Sequence, residues 1–398
     1  MDHKFQLDLT LMPKELKVLL ELIKDNNDEH IYQHKNEWLA SMDWNYFLQL
    51  AMHHRIYPLV YLKLKEVASE LTPSHVLQAL QVEYQKNTFQ MLHLSGEMER
   101  VSKLFTEKQI RSLFLKGPVV AYDLYGDISL RTSKDLDILI SETDLAKTEN
   151  LLLLEGYEKE EVPTVLNEIK WRHHHIAYFH PKKKIQIEIH WRLHPRPMKE
   201  PEFEELWERK RTSSLTKHPV SFLGKEDLVL YLIAHGARHG WFRLRWLKDI
   251  DQMFQDELDY KKVSLFIKEY QHQHLVGQAS VLTSELFNSS IYAHFSDLLK
   301  RRASQNLAQK TIYYMQEIMQ MHGEVSEEVL SYHKRYLFSL KSIRQKVLFI
   351  IISFYPNPLD EATLALPKRL HFLYFPLRPF LWTWRKSKKL FFRREVPR

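Results

Sequence analysis

The 398-residue sequence has no cysteine and no long apolar run. The absence of cysteine excludes disulfide bonds, thiolate metal sites and a thiol nucleophile. No stretch approaches the roughly 18 apolar residues that a membrane-spanning helix needs. The longest candidate, VLFIIISF at 347–354, is soon followed by Pro356 and Pro358. The first residues, MDHKFQLDLTLM, carry acids where a secretory signal would be basic, so we expect a cytoplasmic protein.

Glycine is scarce, with only nine residues in the chain. Tight turns and irregular strands are the places that favour glycine, so its scarcity predicts a largely helical protein. Six of the nine fall in one interval and indicate where a sheet and its turns should lie. They are Gly117, Gly126, Gly156, Gly224, Gly236 and Gly240.

The patterns along the chain predict four regions. Helical periodicity fills residues 1–110, and a strand, helix, strand, helix, strand, strand series occupies 111–195. Amphipathic helical patterns resume over 196–345, and we expect them to form a helical domain that closes a cleft. The last region, 346–398, is rich in proline and aromatics and ends in the basic run WRKSKKLFFRREVPR. The net charge of +7 favours an anionic partner for the protein.

Two carboxylates stand out in the predicted strand DLDILI. Asp135 and Asp137 are separated by one residue, so in an extended strand both side chains leave the same face. Like charges held this close repel unless a proton or a cation lies between them. A metal site is one interpretation, and a pair of solvated surface acids is the other.

A third acid, Glu188, lies in the later strand IQIEIHWRL, where it shares a face with Gln186 and His190. Three strand-borne carboxylates can bind two divalent cations, and Mg²⁺ prefers such oxygen ligands. A two-metal site activates an incoming hydroxyl and stabilises a leaving pyrophosphate. Upstream, Lys116 and Gly117 end the first predicted strand. There the backbone could approach a phosphate, the ammonium would add positive charge, and the next helix N-terminus favours anions.

Three segments together resemble a known family. FLKGPVVAYDLYGDISLRTSKDLDILI, then IEIHWRL, then HGARHGWFRLRWLKDID are similar to the uncharacterised nucleotidyltransferase family of the polymerase-β-type superfamily. The resemblance implies an α+β, predominantly helical fold, in which a small mixed-sheet nucleotidyltransferase domain is flanked by N- and C-terminal helical regions.

The same resemblance assigns roles to individual residues. Asp135 and Asp137 match the paired catalytic and metal-binding acids, and Glu188 matches the third. Lys116 and Gly117 match the nucleotide-binding turn, while Arg131 matches the basic residue before the acids. For Arg131, a salt bridge to Asp127 or Asp135 is an equal alternative to a triphosphate contact.

Four further residues are candidates for an acceptor site or the cleft wall: His190, Arg245, Lys248 and Asp249. Each has a structural alternative, as a satisfied buried histidine or as a charge on the solvated side of a packed helix. The preceding run of histidines at 173–175 is not expected to form one ligand set, because alternate residues of a strand point to opposite faces.

The combined prediction is a Mg²⁺-dependent nucleotidyltransferase that uses ATP or another nucleoside triphosphate and an unknown acceptor. The acceptor could be a small molecule, a peptide, a protein or RNA. One alternative is a nucleotide-binding or regulatory protein whose catalysis has decayed. Another is an adaptor that contacts nucleic acid or an anionic membrane surface through its basic C-terminal tail.

Overall fold

A computed structural model describes residues 5–160, 173–255, 257–289, 292–319 and 325–394. Most of the described chain is helical, as the scarcity of glycine predicts, and the predominantly helical α+β fold is confirmed. Five helices precede the sheet, and the fifth spans 34 residues. They are α1 (Lys14–Ile23), α2 (Asp28–Leu39), α3 (Trp44–His53), α4 (Tyr57–Val67) and α5 (Ser74–Glu107).

A seven-stranded mixed sheet holds the centre of the chain. Its strands are β1 (Ser112–Phe114), β2 (Asp135–Ile140), β3 (Glu158–Lys159), β4 (His175–His180), β5 (Ile185–His190), β6 (Arg211–Ser213) and β7 (Val220–Phe222). Their order in the sheet is β3-β4-β5-β2-β1-β7-β6. The four predicted strands are present, and the structure adds β3, β6 and β7. The last two lie beyond residue 195, so the sheet extends past the predicted end of the 111–195 region, whose boundaries stay a prediction.

The short turn between β1 and the next helix follows the sequence pattern closely. Gly117 has φ +87°, a conformation that L side chains rarely adopt, and Pro118 begins α6 (Pro118–Tyr125). Gly126 ends the helix in the left-handed conformation with φ +70°. The chain then reaches β2 through a 3₁₀ turn at Ile128–Leu130.

The other helices lie between or after the strands along the chain and continue to the C-terminal end of the described residues. Two flank its strands: α7 (Leu145–Leu154) and α8 (Phe203–Glu208). Ten described helices follow β7, and the first seven are α9 (Lys225–Arg238), α10 (Leu244–Gln255), α11 (Tyr260–Glu269), α12 (Gln273–Phe287), α13 (Tyr292–Leu299), α14 (Arg302–Met315) and α15 (Glu327–Ser339). The last three are α16 (Ile343–Ser353), α17 (Pro358–Thr363) and α18 (Tyr374–Arg394). Within the described residues, no helix has both the length and the apolar character that crossing a membrane requires.

The N-terminal helices are joined to the loop that leads into β2. Nδ2 of Asn87 on α5 donates to the carbonyl of Ser129 over 2.7 Å, and the hydroxyls of Tyr84 and Ser129 lie 2.8 Å apart. The amide of Arg245 at the start of α10 donates to the carbonyl of His54, after α3. These contacts leave an open cleft of about 1190 Å³ between α3–α5 and residues 132–134, immediately before Asp135.

Candidate active site

The parallel strands β2 and β5 hold the three predicted acids. Their register pairs Asp137 with Glu188 and Asp135 with Gln186. Paired residues of neighbouring strands share a face of the sheet, and so do residues two apart on one strand. The structure thus brings Asp135, Asp137 and Glu188 onto one face.

Asp137 is the buried centre of this group. Its Oδ1 lies 3.0 Å from Nζ of Lys116 and 3.1 Å from Nε2 of His190. Burial acts to raise the pKa of Asp137, but Lys116 and His190 outweigh it and hold the pKa well below its usual range. The second oxygen, Oδ2, is buried and has no hydrogen-bond partner among the described residues. Asp137 is therefore ionised, with one carboxylate oxygen unused.

Glu188 and His190 complete a compact group with Asp137. Nε2 of His190 lies 3.5 Å from Oε2 of Glu188, and Nε2 of His175 lies 3.6 Å from the same oxygen. Burial opposes ionisation of Glu188, but its hydrogen bond with His190 lowers the pKa of Glu188 overall. Burial likewise acts to lower the pKa of His190, yet its two carboxylate partners raise it. One potential ligand atom from each of Asp137, Glu188 and His190 lies within 4.8 Å of the others.

Asp135 stands beside this group rather than in it. Among the described residues, the two clusters with metal-ligand spacing are Asp137, Glu188, His190 and His174, His175, His190. Burial and the charge of Asp137 raise the pKa of Asp135 to about 6. The geometry therefore brings His190 together with Asp137 and Glu188, and Asp135 is a neighbouring carboxylate on the same face of the sheet. The assignment of Asp135, Asp137 and Glu188 as metal ligands stays a prediction.

Lys116 and Gly117 lie where the sequence predicts, at the end of β1. The amide of the preceding Leu115 donates to the carbonyl of Asp137 over 2.9 Å, which fixes β1 beside β2. Burial acts to lower the pKa of Lys116, but Asp137 and the other nearby acids raise it, so the ammonium stays charged. A Cβ on Gly117 would meet side-chain and backbone atoms of residues 135–136 at ordinary distances, so only the positive φ demands glycine.

Two arginines interact electrostatically with Asp135, and one of them, Arg55, also lines the cleft. Arg245 is buried and donates to the carbonyl of Thr132, and its Nε has no hydrogen-bond partner among the described residues. Burial, together with repulsion from Arg131 and Arg55, lowers the pKa of Arg245 to about 9. Burial also lowers the pKa of Arg55, which lines the cleft, while the charge of Asp135 opposes that effect. The lining of the cleft thus contains four basic side chains, Arg55, Lys86, Lys134 and Arg243, against one acid, Glu83.

Three other predicted site residues lie elsewhere. Arg131 is fully buried, and its Nε donates to both carboxylate oxygens of Asp249, at 3.0 and 3.1 Å. Asp249 is also buried and accepts a hydrogen bond from the hydroxyl of Tyr125. The salt-bridge interpretation of Arg131 fits this geometry, but the partner is neither Asp127 nor Asp135. Lys248 contacts Asp25 and Asp251 and thus belongs to a separate charge cluster.

Comparison with known proteins gives this geometry a family. A profile described as uncharacterised nucleotidyltransferase matches residues 40–288, more than half of the chain. The chain belongs to this nucleotidyltransferase family. The matched segment contains β1, β2 and β5 with their acids, and also the helices that form the cleft.

Two other comparisons add little. Among solved structures, the chain is similar to one described as an antigenic nucleotidyltransferase-like protein from Paracoccidioides brasiliensis. The two are 14% identical with a TM-score of 0.30, over 51% of this chain and 97% of that chain. A likeness at this score supports no further argument. A search of curated proteins found no match.

In this member of the nucleotidyltransferase family, sequence analysis did not mark Arg55, and it did not expect His173, His174 and His175 to form one ligand set. The structure places His174 and His175 with His190 in one group with metal-ligand spacing. His175 lies opposite His190 in the β4–β5 hairpin, with ring centroids 4.9 Å apart. His174 precedes β4, so strand alternation does not govern it, and its Nε2 accepts a hydrogen bond from Arg238. Counting back from the hairpin turn would have paired His175 with His190. No comparable signal marked Arg55, because its position depends on how α3 and α4 dock.

Proposed function

We propose that this protein transfers a nucleoside monophosphate from a nucleoside triphosphate to a hydroxyl or phosphate acceptor, with the help of a divalent cation. The observation that carries the proposal is the unused, buried Oδ2 of Asp137 beside Glu188 and His190. Residues 132–134, which immediately precede Asp135, line a cleft that carries four lysines and arginines and one acid. Membership of the nucleotidyltransferase family supports the same reaction class.

The residues fit a divalent cation. Asp137 and Glu188 offer oxygens and His190 offers a nitrogen, while Asp135 is positioned to add another oxygen on the same face. Carboxylates suit Mg²⁺, and a mixed set with imidazole also suits Mn²⁺. When bound, such ions supply counter-charge to the triphosphate and lower the pKa of a bound hydroxyl. We retain two Mg²⁺ ions as the proposed complement.

The triphosphate is proposed to lie in the cleft on the Asp135 side. Arg245 is a buried cation and Arg55 a partly buried one, and an anion would relieve their mutual repulsion. Lys116 adds a third positive charge at the Gly117 turn, where α6 begins. Although Pro118 has no amide hydrogen to donate, the start of α6 still favours negative charge.

The proposed reaction is in-line displacement at the α-phosphorus. The acceptor oxygen forms a bond to that phosphorus while the bond to the β-phosphate oxygen breaks, releasing pyrophosphate. Glu188 accepts the acceptor's proton, because it is ionised and only partly buried. Before an ion binds, Nε2 of His190 holds the carboxylates of Asp137 and Glu188 in place. Lys116, Arg55 and Arg245 offset the charge on the leaving group.

One observation favours a second candidate, a nucleotide-binding protein without transfer activity. Nζ of Lys116 lies 3.0 Å from Asp137, so a protein cation already neutralises the central acid. If Lys116 kept this position with nucleotide bound, the protein would bind the triphosphate without catalysing transfer.

Pyrophosphate release distinguishes the two candidates. The purified protein is incubated with each labelled triphosphate, Mg²⁺ or Mn²⁺ and mixed acceptors, and labelled product is followed together with pyrophosphate. We expect pyrophosphate release by the wild type and its loss in Glu188→Gln. Glu149 on α7 is a matched, partly buried carboxylate, and Glu149→Gln should leave the release unchanged. Triphosphate binding without any release would support the non-catalytic candidate instead.

A further inference from the structure

The C-terminal helices α16–α18 expose an unusual number of large apolar side chains. Residues 343–384 contain fifteen of them: Ile343, Val347, Leu348, Phe349, Ile350, Ile351, Phe354, Leu359, Leu364, Leu370, Phe372, Phe375, Phe380, Trp382 and Trp384. Single exposed apolar residues are normal, but a concentration of this kind on one segment marks a surface that contacts something else.

Four of the exposed apolar residues on and next to α16 form a stripe. Ile343, Val347, Ile350 and Phe354 follow the i, i+4, i+7, i+11 spacing of one helix face. Ile351, beside them, is 60% exposed. The buried Gln345 lies on another side of the helix, so α16 has an apolar face directed away from the rest of the protein.

The side chains on the inner face of α18 have partners within the protein, whereas large aromatic side chains on its outer face are exposed. Arg378 and Arg385 both reach the buried carboxylate of Asp360 on α17, and they have the same spacing as the buried Tyr374 and Leu381. On the outer side, Phe380 and Trp384 are 73% and 63% exposed. The ion pairs thus anchor one face of α18 while its aromatic residues point outward.

Basic charge is concentrated in the same segment. Residues 341–398 contain 13 lysines and arginines against three acids, a net charge of +10. The other 340 residues therefore carry −3, although the whole chain is +7. Exposed Lys386 lies over the ring of Trp382, at 4.2 Å from its centroid, so charge and aromatic surface are interleaved.

We propose that α16–α18 bind the surface of a membrane rich in anionic lipids, with the helices lying in the interface. Exposed aromatic and aliphatic residues can enter the headgroup boundary while lysines and arginines meet lipid phosphates. Nucleic acid would use the basic residues but would leave Ile343, Val347 and Ile351 without partners. This proposal is independent of the nucleotidyltransferase activity.

Vesicle sedimentation of the full-length protein tests the proposal. Vesicles of phosphatidylcholine alone are compared with a phosphatidylcholine and phosphatidylglycerol mixture, at low and high salt. We expect binding to the anionic vesicles to be at least roughly tenfold tighter than binding to phosphatidylcholine vesicles. Most of this difference should disappear at high salt. The double variant Trp382→Ser/Trp384→Ser should bind roughly tenfold more weakly.

A matched control distinguishes binding by this surface from non-specific binding of exposed apolar residues to vesicles. Phe89 and Leu92 are exposed apolar residues on α5, so Phe89→Ser/Leu92→Ser should bind vesicles like the wild type. Circular dichroism and unchanged triphosphate binding establish that each variant is folded. Equal binding to neutral vesicles, or absence of vesicle binding, would overturn the proposal. The proposal would also be overturned if the tryptophan variant lost RNA binding or self-association but still bound vesicles.

Discussion

Arg131 and Asp249 form a buried ion pair that joins the loop before β2 to helix α10. Both side chains are about 1% exposed, and Nε of Arg131 lies 3.0 Å from Oδ1 of Asp249. Burial acts to lower the pKa of Arg131, but Asp249 raises it, so the guanidinium stays charged. The pair holds α10, and with it Arg245, against the strand that carries the acids.

We expect Arg131→Met to lower the free energy of unfolding by about 3–5 kcal/mol, because it leaves Asp249 charged and buried without its partner. Urea denaturation measures the change. The double variant Arg131→Met/Asp249→Leu should be less destabilised than the sum of the two single variants. If the losses of unfolding free energy were additive, and folded Arg131→Met also lost much of its triphosphate affinity, the result would favour a contact between Arg131 and the triphosphate instead.

Asp137→Asn should reduce transfer by roughly 10³-fold or more, because it removes the central charge of the site. It should also lower stability, since the buried Lys116 loses its carboxylate partner. Melting temperature and pyrophosphate release are measured on the same preparation. Glu188→Gln should lose activity with a smaller change in melting temperature, because Glu188 is 21% exposed. Activity retained in folded Asp137→Asn would rule out this site.

Lys116→Met should strengthen divalent-cation binding and weaken triphosphate binding, each by roughly tenfold. The ammonium of Lys116 neutralises Asp137 in the absence of a metal, so its removal leaves more negative charge for the ion. Titration with Mn²⁺, followed by its paramagnetic resonance signal, reports the cation affinity directly. The control is Lys134→Met, at the exposed edge of the cleft, which should leave Mn²⁺ affinity unchanged. Weaker Mn²⁺ binding in Lys116→Met would contradict the expectation.

Arg55→Gln should weaken triphosphate binding by roughly tenfold, because Arg55 is a partly buried cation that lines the cleft and interacts with Asp135. Binding of a fluorescent triphosphate gives the dissociation constant. Lys86→Gln is the matched control, since Lys86 also lines the cleft but is exposed and paired with Glu83. Its substitution should change affinity less than twofold. Equal effects of the two substitutions would place the triphosphate outside the inner cleft.

Local pattern predicted the part of the site that depends on strand geometry. Alternation placed Asp135 and Asp137 on one face, and the Gly117–Pro118 turn followed from glycine and proline preferences. Alternation also gave Glu188 and His190 a common face, but it could not show that His190 would contact Asp137.

The ion pairs between residues far apart in the chain could not be predicted from the sequence. Asp249 lies 118 residues from Arg131, and Lys248 lies 223 residues from its partner Asp25. Such pairs form only when packed helices bring distant segments together, and helical periodicity shows which face is apolar but not which charge it will meet. Strands β6 and β7, with three residues each, are too short to show an alternating pattern.

Glu200 should make stability depend on pH in a way that Glu200→Gln removes. Burial raises the pKa of Glu200 to about 7, although Arg192 and the amides of Leu193 and His194 oppose the shift. The folded protein therefore binds this proton more tightly than the unfolded chain does. Its contribution to stability is complete below about pH 4.5 and is lost as the pH rises through 7.

The difference in unfolding free energy between wild type and Glu200→Gln should thus fall by up to about 3 kcal/mol between pH 4.5 and 7 and then stay constant. Urea denaturation across this range measures it, and the exposed Glu208→Gln serves as the control, whose curve should parallel the wild type. Parallel curves for wild type and Glu200→Gln would mean that Glu200 is ionised throughout this range. Its carboxylate would then be stabilised in the fold by Arg192 and the two amides strongly enough to outweigh burial.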